Sequence, residues 1–223
     1  TDADGRLLGQ GRDLAALKRA SAAEWAREVR QEFDDLRKTS EHVAVVGLSM
    51  GGALAITLAA ERPEVEALVL LAPYVEMPAH IRRLAATSGA WGWLVPYFSA
   101  RGGASIRDPD AAAQALGHGI LTPAALRALS EVVDRAYEAL PGVKAPTLII
   151  QSREDNRIAP ESAESAFNRL GAKEKKFVWT NGAGHVITVD FGFQRVFELT
   201  RHWLEAHRNN VKRPRARGRP GSR

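Results

Sequence analysis

The pentapeptide Gly47-Leu48-Ser49-Met50-Gly51 constrains this chain more than any other feature. The β-branched run His42-Val-Ala-Val-Val-Gly47 precedes it and reads as a buried strand. Gly51 to Ala60, rich in Ala and Leu, follows as a helix that Pro63 ends. G-x-S-x-G between a strand and a helix requires a sharp turn, with the serine held in a strained backbone conformation. Glycines two residues to either side let the flanking chains pass without clashing Cβ atoms. Such a turn exposes the Ser49 hydroxyl at the C-terminal end of a sheet, beside the N-terminal dipole of the next helix. The Met50 N–H can there donate to a developing oxyanion. The plain alternative is a tight turn carrying an inert serine.

The rest of the chain alternates in the same way. Ser21-Ala-Ala-Glu24 has the form of a capping box and opens a helix to about Lys38. Trp25, Val29, Phe33 and Leu36 give that helix one apolar face. Ala67 to Ala72 is a continuous apolar run, as suits a strand covered on both faces. Residues 147–151 and 176–180 read as further strands, 160–170 and 191–207 as helices. Phe193, Val196, Phe197, Thr200, Trp203 and Leu204 are expected on the inner side of the last helix. This pattern predicts an α/β fold with a mainly parallel sheet flanked by helices. Residues 73–140 break the alternation and are expected to form a small helical cap, with 108–140 helical. The expected organisation is core at 1–72, cap at 73–140, core again at 141–207 and a basic disordered tail at 208–223.

A serine hydroxyl needs a base to become a nucleophile. Of the histidines 42, 80, 118, 185, 202 and 207, His185 stands out, in a Gly182-Ala-Gly184-His185 loop after the last strand. The other five read as solvated or packed side chains. An acid must orient the base, and Asp155 follows strand 147–151 at the same end of the sheet as Ser49. Glu154 is the neighbouring alternative and is expected to face solvent. Ser, then acid, then His is the α/β-hydrolase order.

The sequence resembles the α/β-hydrolase fold family, and within it the bacterial carboxylesterases similar to monoacylglycerol lipases. The matching stretches are residues 43–52, Ala145 to Gln151, Asp155 with Ile158 and Pro160, and Gly184-His-Val-Ile-Thr-Val-Asp190. The resemblance covers about residues 5–206. It implies Ser49 as nucleophile, Asp155 as acid, His185 as base, ester hydrolysis through an acyl-enzyme, and no metal or other cofactor. Short- or medium-chain acyl esters, or monoacylglycerols, are the expected small-molecule substrates. An amidase or aminopeptidase-like activity is the alternative within that class. The Met50 amide is expected in the oxyanion hole. Leu48, Trp91, Trp93, Tyr97 and Phe98 are expected to shape the acyl pocket, plain packing being the alternative for the aromatics.

The family's early strand and His-Gly motif have no counterpart before Ser49. Leu7-Leu-Gly-Gln10-Gly11 looks like a later family segment with Gln10 in place of His. Roughly 60–80 residues of such a domain are then absent, which would leave strand 43–47 as an unpaired edge. The alternative function is therefore a truncated or inactive hydrolase remnant, because one lost oxyanion donor costs on the order of 100- to 1000-fold in turnover.

Composition narrows the partners. Apolar residues make up 45% and charged residues 26%, as in ordinary globular chains. No window approaches the run of about 18 apolar residues that a membrane span needs. There is no cysteine, which excludes disulfides, thiolate metal sites and a cysteine nucleophile. Thr1 to Gln10 is neither a signal nor a transit peptide, and the chain is read as cytoplasmic. The net charge is +5, yet residues 208–223 contribute +7, so the body carries −2. Such a tail could hold nucleic acid, but it lacks an aromatic residue for base stacking, which argues against that role. The sequence selects no oligomeric state.

Overall fold

The structure is a computed structural model that describes residues 18–19, 21–99, 105–115 and 120–208. Leu7 to Gly11, His118 and the tail beyond Arg208 lie outside the described residues. In chain order the elements are α1 (Ala22–Thr39), β1 (Val45–Leu48), α2 (Met50–Glu61), β2 (Leu68–Leu71) and α3 (Ala79–Trp91), then β3 (Phe98–Ser99), α4 (Pro109–Ala113), β4 (Ile120–Leu121) and α5 (Pro123–Ala139). A 3₁₀ turn at Leu140–Gly142 leads into β5 (Thr147–Ser152), α6 (Pro160–Arg169), β6 (Lys175–Thr180) and α7 (Phe193–His207).

Four strands form one parallel sheet in the order β1-β2-β5-β6. Because side chains alternate across a strand, each strand serves two cores. Leu68, Leu70 and Ile149 face α1, α2, α5 and α6, meeting Ile56, Val132 and Ala163 there. Val69, Leu71, Leu148 and Ile150 face the other way, onto Ile187 of the base loop and Val196 of α7. Every residue of β2 and β5 is buried; β2 is wholly apolar, and β5 carries Leu148, Ile149 and Ile150 between the polar Thr147 and the pair Gln151 and Ser152. β1 lies at the edge of the described sheet, with Val46 47% exposed.

The helix signals acted as read. Ser21 Oγ accepts from Glu24 N at 3.2 Å, and Thr122 Oγ1 accepts from Ala125 N at 3.1 Å with Pro123 at the first helical position. Leu36 is the exception on α1, exposed in its last turn.

Three expectations change. The stretch 108–140 is not continuously helical: β4 interrupts it and pairs antiparallel with β3. Nor does all of 73–140 stand apart as a cap. Ala125, Ala128, Val132 and Ala136 bring α5 into the main core, because its stripe has the spacing of a sheet-covering helix. On α7 the packed residues are Val196, Leu199, Trp203 and Leu204, while Phe197 is exposed and sits edge-on to Phe193. Residues 196, 199 and 203 share one face; 193 and 197 share its flank.

Ile149 is fully buried in the central strand. Ile149→Ala is expected to lower unfolding free energy by about 2–5 kcal/mol, read from urea melts. A loss below about 1 kcal/mol would contradict the described core.

Candidate active site

The turn between β1 and α2 holds Ser49 at φ 54° and ψ −121°. Positive φ in a non-glycine residue costs energy and persists only where its surroundings fix it. Here the backbone on both sides is tied down. Ser49 N donates to Leu71 O at 2.9 Å, and Ser49 O accepts from Gly52 N, Ala53 N and Tyr74 N at 2.9, 3.2 and 3.1 Å.

The two flanking glycines are not equivalent. A Cβ on Gly47 would lie 2.4 Å from Gly51 O, so only glycine fits there. A Cβ on Gly51 would meet open space, contrary to the symmetric expectation. The second tight position is Gly52, where a Cβ would lie 3.1 Å from Pro73 Cβ. The chain crosses itself after the serine one residue later than the motif suggests.

Ser49, Asp155 and His185, widely separated in sequence, converge. Ser49 Oγ is 2.8 Å from His185 Nε2, and His185 Nδ1 is 2.9 Å from Asp155 Oδ2. Asp155 Oδ1 accepts from the backbone of Arg157 at 2.8 Å and of Ile158 at 3.0 Å. Burial pushes the Asp155 carboxyl up, but His185 and these two N–H groups outweigh it and hold the group below the ordinary carboxylate range. An ionised acid fixes Nδ1–H as the donor to Asp155, leaving Nε2 to face the serine. That arrangement can take a proton from Ser49 Oγ and return it to a leaving group.

The loops behind the triad are interlocked. Glu154, although exposed, is not simply solvated: its Oε2 accepts from Gly182 N at 3.0 Å, and Ser152 Oγ donates to Ala183 O at 2.6 Å. Asp190 went unread in the sequence beyond its place in the string after His185. It is fully buried and its carboxylate accepts four backbone N–H groups. Gly184 and Arg107 donate to Oδ2 at 2.6 and 2.8 Å; Phe191 and Asp108 donate to Oδ1 at 2.8 and 2.9 Å. Burial raises this carboxyl too, and the four donors bring it below the usual range. The signal for it was an acid five residues past the base in an otherwise apolar loop.

A cleft of about 900 Å³ opens over Ser49. Leu48 and Met50 line it, together with Ile81, Leu121, Leu126, Leu129 and Ile158. Trp91, Trp93 and Tyr97 are not among its lining residues. Trp91 Nε1 donates to Thr87 Oγ1, Trp93 Nε1 donates to Ala90 O, and Trp93 and Tyr97 are exposed. The Phe98 side chain lies outside what the structure describes. The apolar wall comes instead mostly from aliphatic residues of α3, β4 and α5, with Trp25 of α1 as an aromatic contribution that sequence spacing marks only as core. His80, Tyr74, Asn156 and Arg157 also line the cleft. His42 pairs with Glu66, and His207 is buried against Trp203 and Glu174. Among the described residues no group of three or more His, Asp or Glu could hold a metal ion, and no helix is long and apolar enough to cross a membrane.

Residues 9–191 match the family model described as serine aminopeptidase, S33. The chain belongs to that family. It is similar to a thermostable monoacylglycerol lipase of Bacillus sp. (strain H-257), 27% identical over 202 residues, which are 91% of this chain and 78% of the relative. A carboxylesterase of Bacillus subtilis (strain 168) is 25% identical over 185 residues, 82% of this chain and 72% of that protein. Among solved structures, one from work on LipS and LipT, two metagenome-derived lipolytic enzymes, has a TM-score of 0.81 and 26% identity, covering 91% of this chain and 80% of that one. A soluble variant of the monoglyceride lipase of Saccharomyces cerevisiae has a TM-score of 0.73 at 14% identity, over 91% of this chain and 76% of that one. The fold is that of the α/β-hydrolases.

Gly47→Ala is expected to destabilise by on the order of 3 kcal/mol or more, since backbone must move. Gly51→Ala, in a helix and in open space, is expected to be neutral or stabilising by up to about 1 kcal/mol. Equal urea midpoints for the two variants would contradict the described turn. Asp155 and Asp190, both depressed, give stability that is complete above the unfolded carboxylate pKa of about 3.9 and lost as pH falls from there through their folded values. Asp190→Asn turns one of the two acceptor oxygens into an NH₂ facing two backbone N–H donors, and is expected to lower the urea midpoint at neutral pH and flatten its decline in acid. An unchanged acid decline would rule out Asp190 as a contributor.

Proposed function

We propose that this chain is a serine carboxylesterase that cleaves short- or medium-chain acyl esters, or monoacylglycerols, through an acyl-enzyme. The observation that carries the reading is Ser49 Oγ on His185 Nε2, with Asp155 on the opposite ring nitrogen, at a strained turn that presents the hydroxyl to an apolar cleft. The names of the relatives, monoacylglycerol lipase and carboxylesterase, support an ester as substrate. The aliphatic lining supports an acyl chain as what the cleft receives.

In this mechanism Ser49 Oγ attacks the ester carbonyl as His185 Nε2 takes its proton. The oxyanion develops toward the Met50 N–H, at the positive end of α2. His185 then protonates the departing alcohol. Water, deprotonated by the same nitrogen, attacks the acyl-enzyme, and Ser49 leaves with the proton restored. Asp155 stays ionised and stabilises the imidazolium of each step.

The family description favours a second reading, amide or peptide hydrolysis by the same residues. Matched p-nitrophenyl ester and p-nitroanilide series separate the two. Ester turnover that varies with acyl length supports the esterase, and preference for the anilides the amidase.

A fluorophosphonate probe is expected to modify Ser49, with no adduct in Ser49→Ala or His185→Ala. Ser49→Ala should lose on the order of 10⁴-fold or more in kcat. No adduct on the folded wild-type chain would favour the inactive remnant. Activity is expected to fall in acid as His185 takes a proton, because only the neutral ring accepts one from Ser49. A pH profile without that acid limb would count against His185 as base.

A further inference from the structure

Gln151 stands out in β5, because the other two buried polar side chains there are small hydroxyls that donate to backbone carbonyls, Thr147 to Ala145 O and Ser152 to Ala183 O. Its neighbours Leu148, Ile149 and Ile150 are apolar, yet Gln151 is as fully buried as they are. Burying an amide is costly unless its polar atoms find partners. Only half of this one does. Nε2 donates to Asp155 Oδ2 at 2.9 Å and lies 3.4 Å from Ser152 O, while Oε1 is buried without a partner among the described residues. The assignment of nitrogen and oxygen follows from chemistry. An ionised carboxylate only accepts, so the end facing Asp155 is the NH₂.

Two donors therefore share Oδ2, Gln151 Nε2 and His185 Nδ1, each at 2.9 Å. The other carboxylate oxygen carries the two backbone donors described above. Four N–H groups can fill the four lone-pair positions of Asp155, two from the backbone and two from the side chains of Gln151 and His185.

We propose that Gln151 is a positioning residue of the triad: its buried amide holds Oδ2 of Asp155 and divides that oxygen with His185, fixing the plane of the acid and limiting how strongly it draws the imidazole proton. The proposal rests on the triad reading of Ser49, Asp155 and His185. It explains why an amide with an orphaned oxygen occupies a site where an aliphatic side chain would bury at less cost. Its value lies wholly in the N–H. Without that donor, the negative charge on Oδ2 falls on His185 alone. The imidazolium gains stability, so the base is protonated at higher pH. The carboxylate also loses its lateral restraint, so His185 presents Nε2 to Ser49 less often.

The test uses the full chain and p-nitrophenyl ester turnover across pH, with Gln151→Met, which keeps length and burial and removes the donor. The expected result is a kcat about tenfold or more below wild type, KM within about twofold, and an acid limb moved upward by about half a pH unit or more. Gln151→Glu, whose buried carboxyl cannot ionise beside Asp155 and so returns an O–H donor to Oδ2, should restore most of the kcat lost in Gln151→Met. A kcat and limb coinciding with wild type in Gln151→Met would overturn the proposal. So would a lower kcat with a stationary limb and a lower melting temperature, which is what plain packing predicts. Should both variants fail to fold, the wild-type chain answers. Its Gln151 side-chain ¹⁵N–H resonances should shift as His185 is titrated after Ser49 is phosphonylated, and resonances that stay fixed overturn the proposal. Wild-type chain that takes no fluorophosphonate on Ser49 overturns the triad reading and this proposal with it. Labelled wild type with an unaltered Gln151→Met variant overturns this proposal alone.

Discussion

Ser49 holds a backbone conformation that an L residue abandons unless every neighbouring bond is already committed. Its amide goes to the end of β2, and its carbonyl takes three amides, two from α2 and one from the segment after β2. That commitment links β1, α2 and β2 at one point. Gly47 lets the backbones cross there at a distance no Cβ would tolerate, and Gly52 packs where a Cβ would be tight against Pro73. The neighbouring strand repeats the theme, since Ala72 just after β2 also has positive φ, at 43°. The strain is supported by a parallel sheet whose two central strands are buried throughout. A site on less firmly packed strands would relax and withdraw the hydroxyl.

The base and the acid are held differently, because both sit on loops. A buried loop must satisfy its own amides without a ladder. Two carboxylates do that work. Asp155 gathers amides from the acid loop, and Asp190 gathers them from the base loop and from residues 107–108. Ser105 ties the same regions together, its carbonyl accepting from Val186 N at 3.1 Å and its hydroxyl from Arg157 Nε at 2.6 Å. A Cβ on Gly184 would lie 2.7 Å from that carbonyl, so the residue before the base has to be glycine for segment 105–108 to close over it. The His185 loop is thus clamped from the acid side and from the insertion side at once.

Much of this was legible in the chain. The order of strands and helices follows from apolar runs separated by capped, amphipathic segments, and these signals are local. Ser49, Asp155 and His185 could be placed because each follows a strand, and parallel strands put such positions at one end of the sheet. What was not legible depends on contacts between segments far apart in sequence. The aromatics at 91–97 looked like a pocket wall because large apolar side chains bind acyl groups well. The wall is mostly aliphatic, with Trp25 of α1, because α3, β4 and α5, rather than residues 91–97, are folded over Ser49. The stripe on α5 reads as core under either arrangement, so its spacing could not assign Leu126 and Leu129 to the cleft. Asp190 could not be read as a clamp, since two of its four donors lie about eighty residues earlier in the chain.

The same physics places ionised groups where hydrophobicity alone would exclude them. A buried carboxylate ringed by amides stays charged although burial opposes it. Asp155 needs that charge for the chemistry, because His185 becomes an imidazolium each time Ser49 gives up its proton. Asp190 needs it for a different reason: a neutral acid would turn one oxygen into a donor against amides that can only donate. Asp190 is held by four backbone N–H groups, and Asp155 by two from backbone and two from the side chains of Gln151 and His185. Satisfaction by backbone costs little further side-chain entropy once the loops are closed, whereas ion pairs would immobilise long side chains. Stiffness at this site therefore comes from closing loops around fixed charges, and the apolar cleft above it is free to be shaped by helices that take no part in the proton transfer.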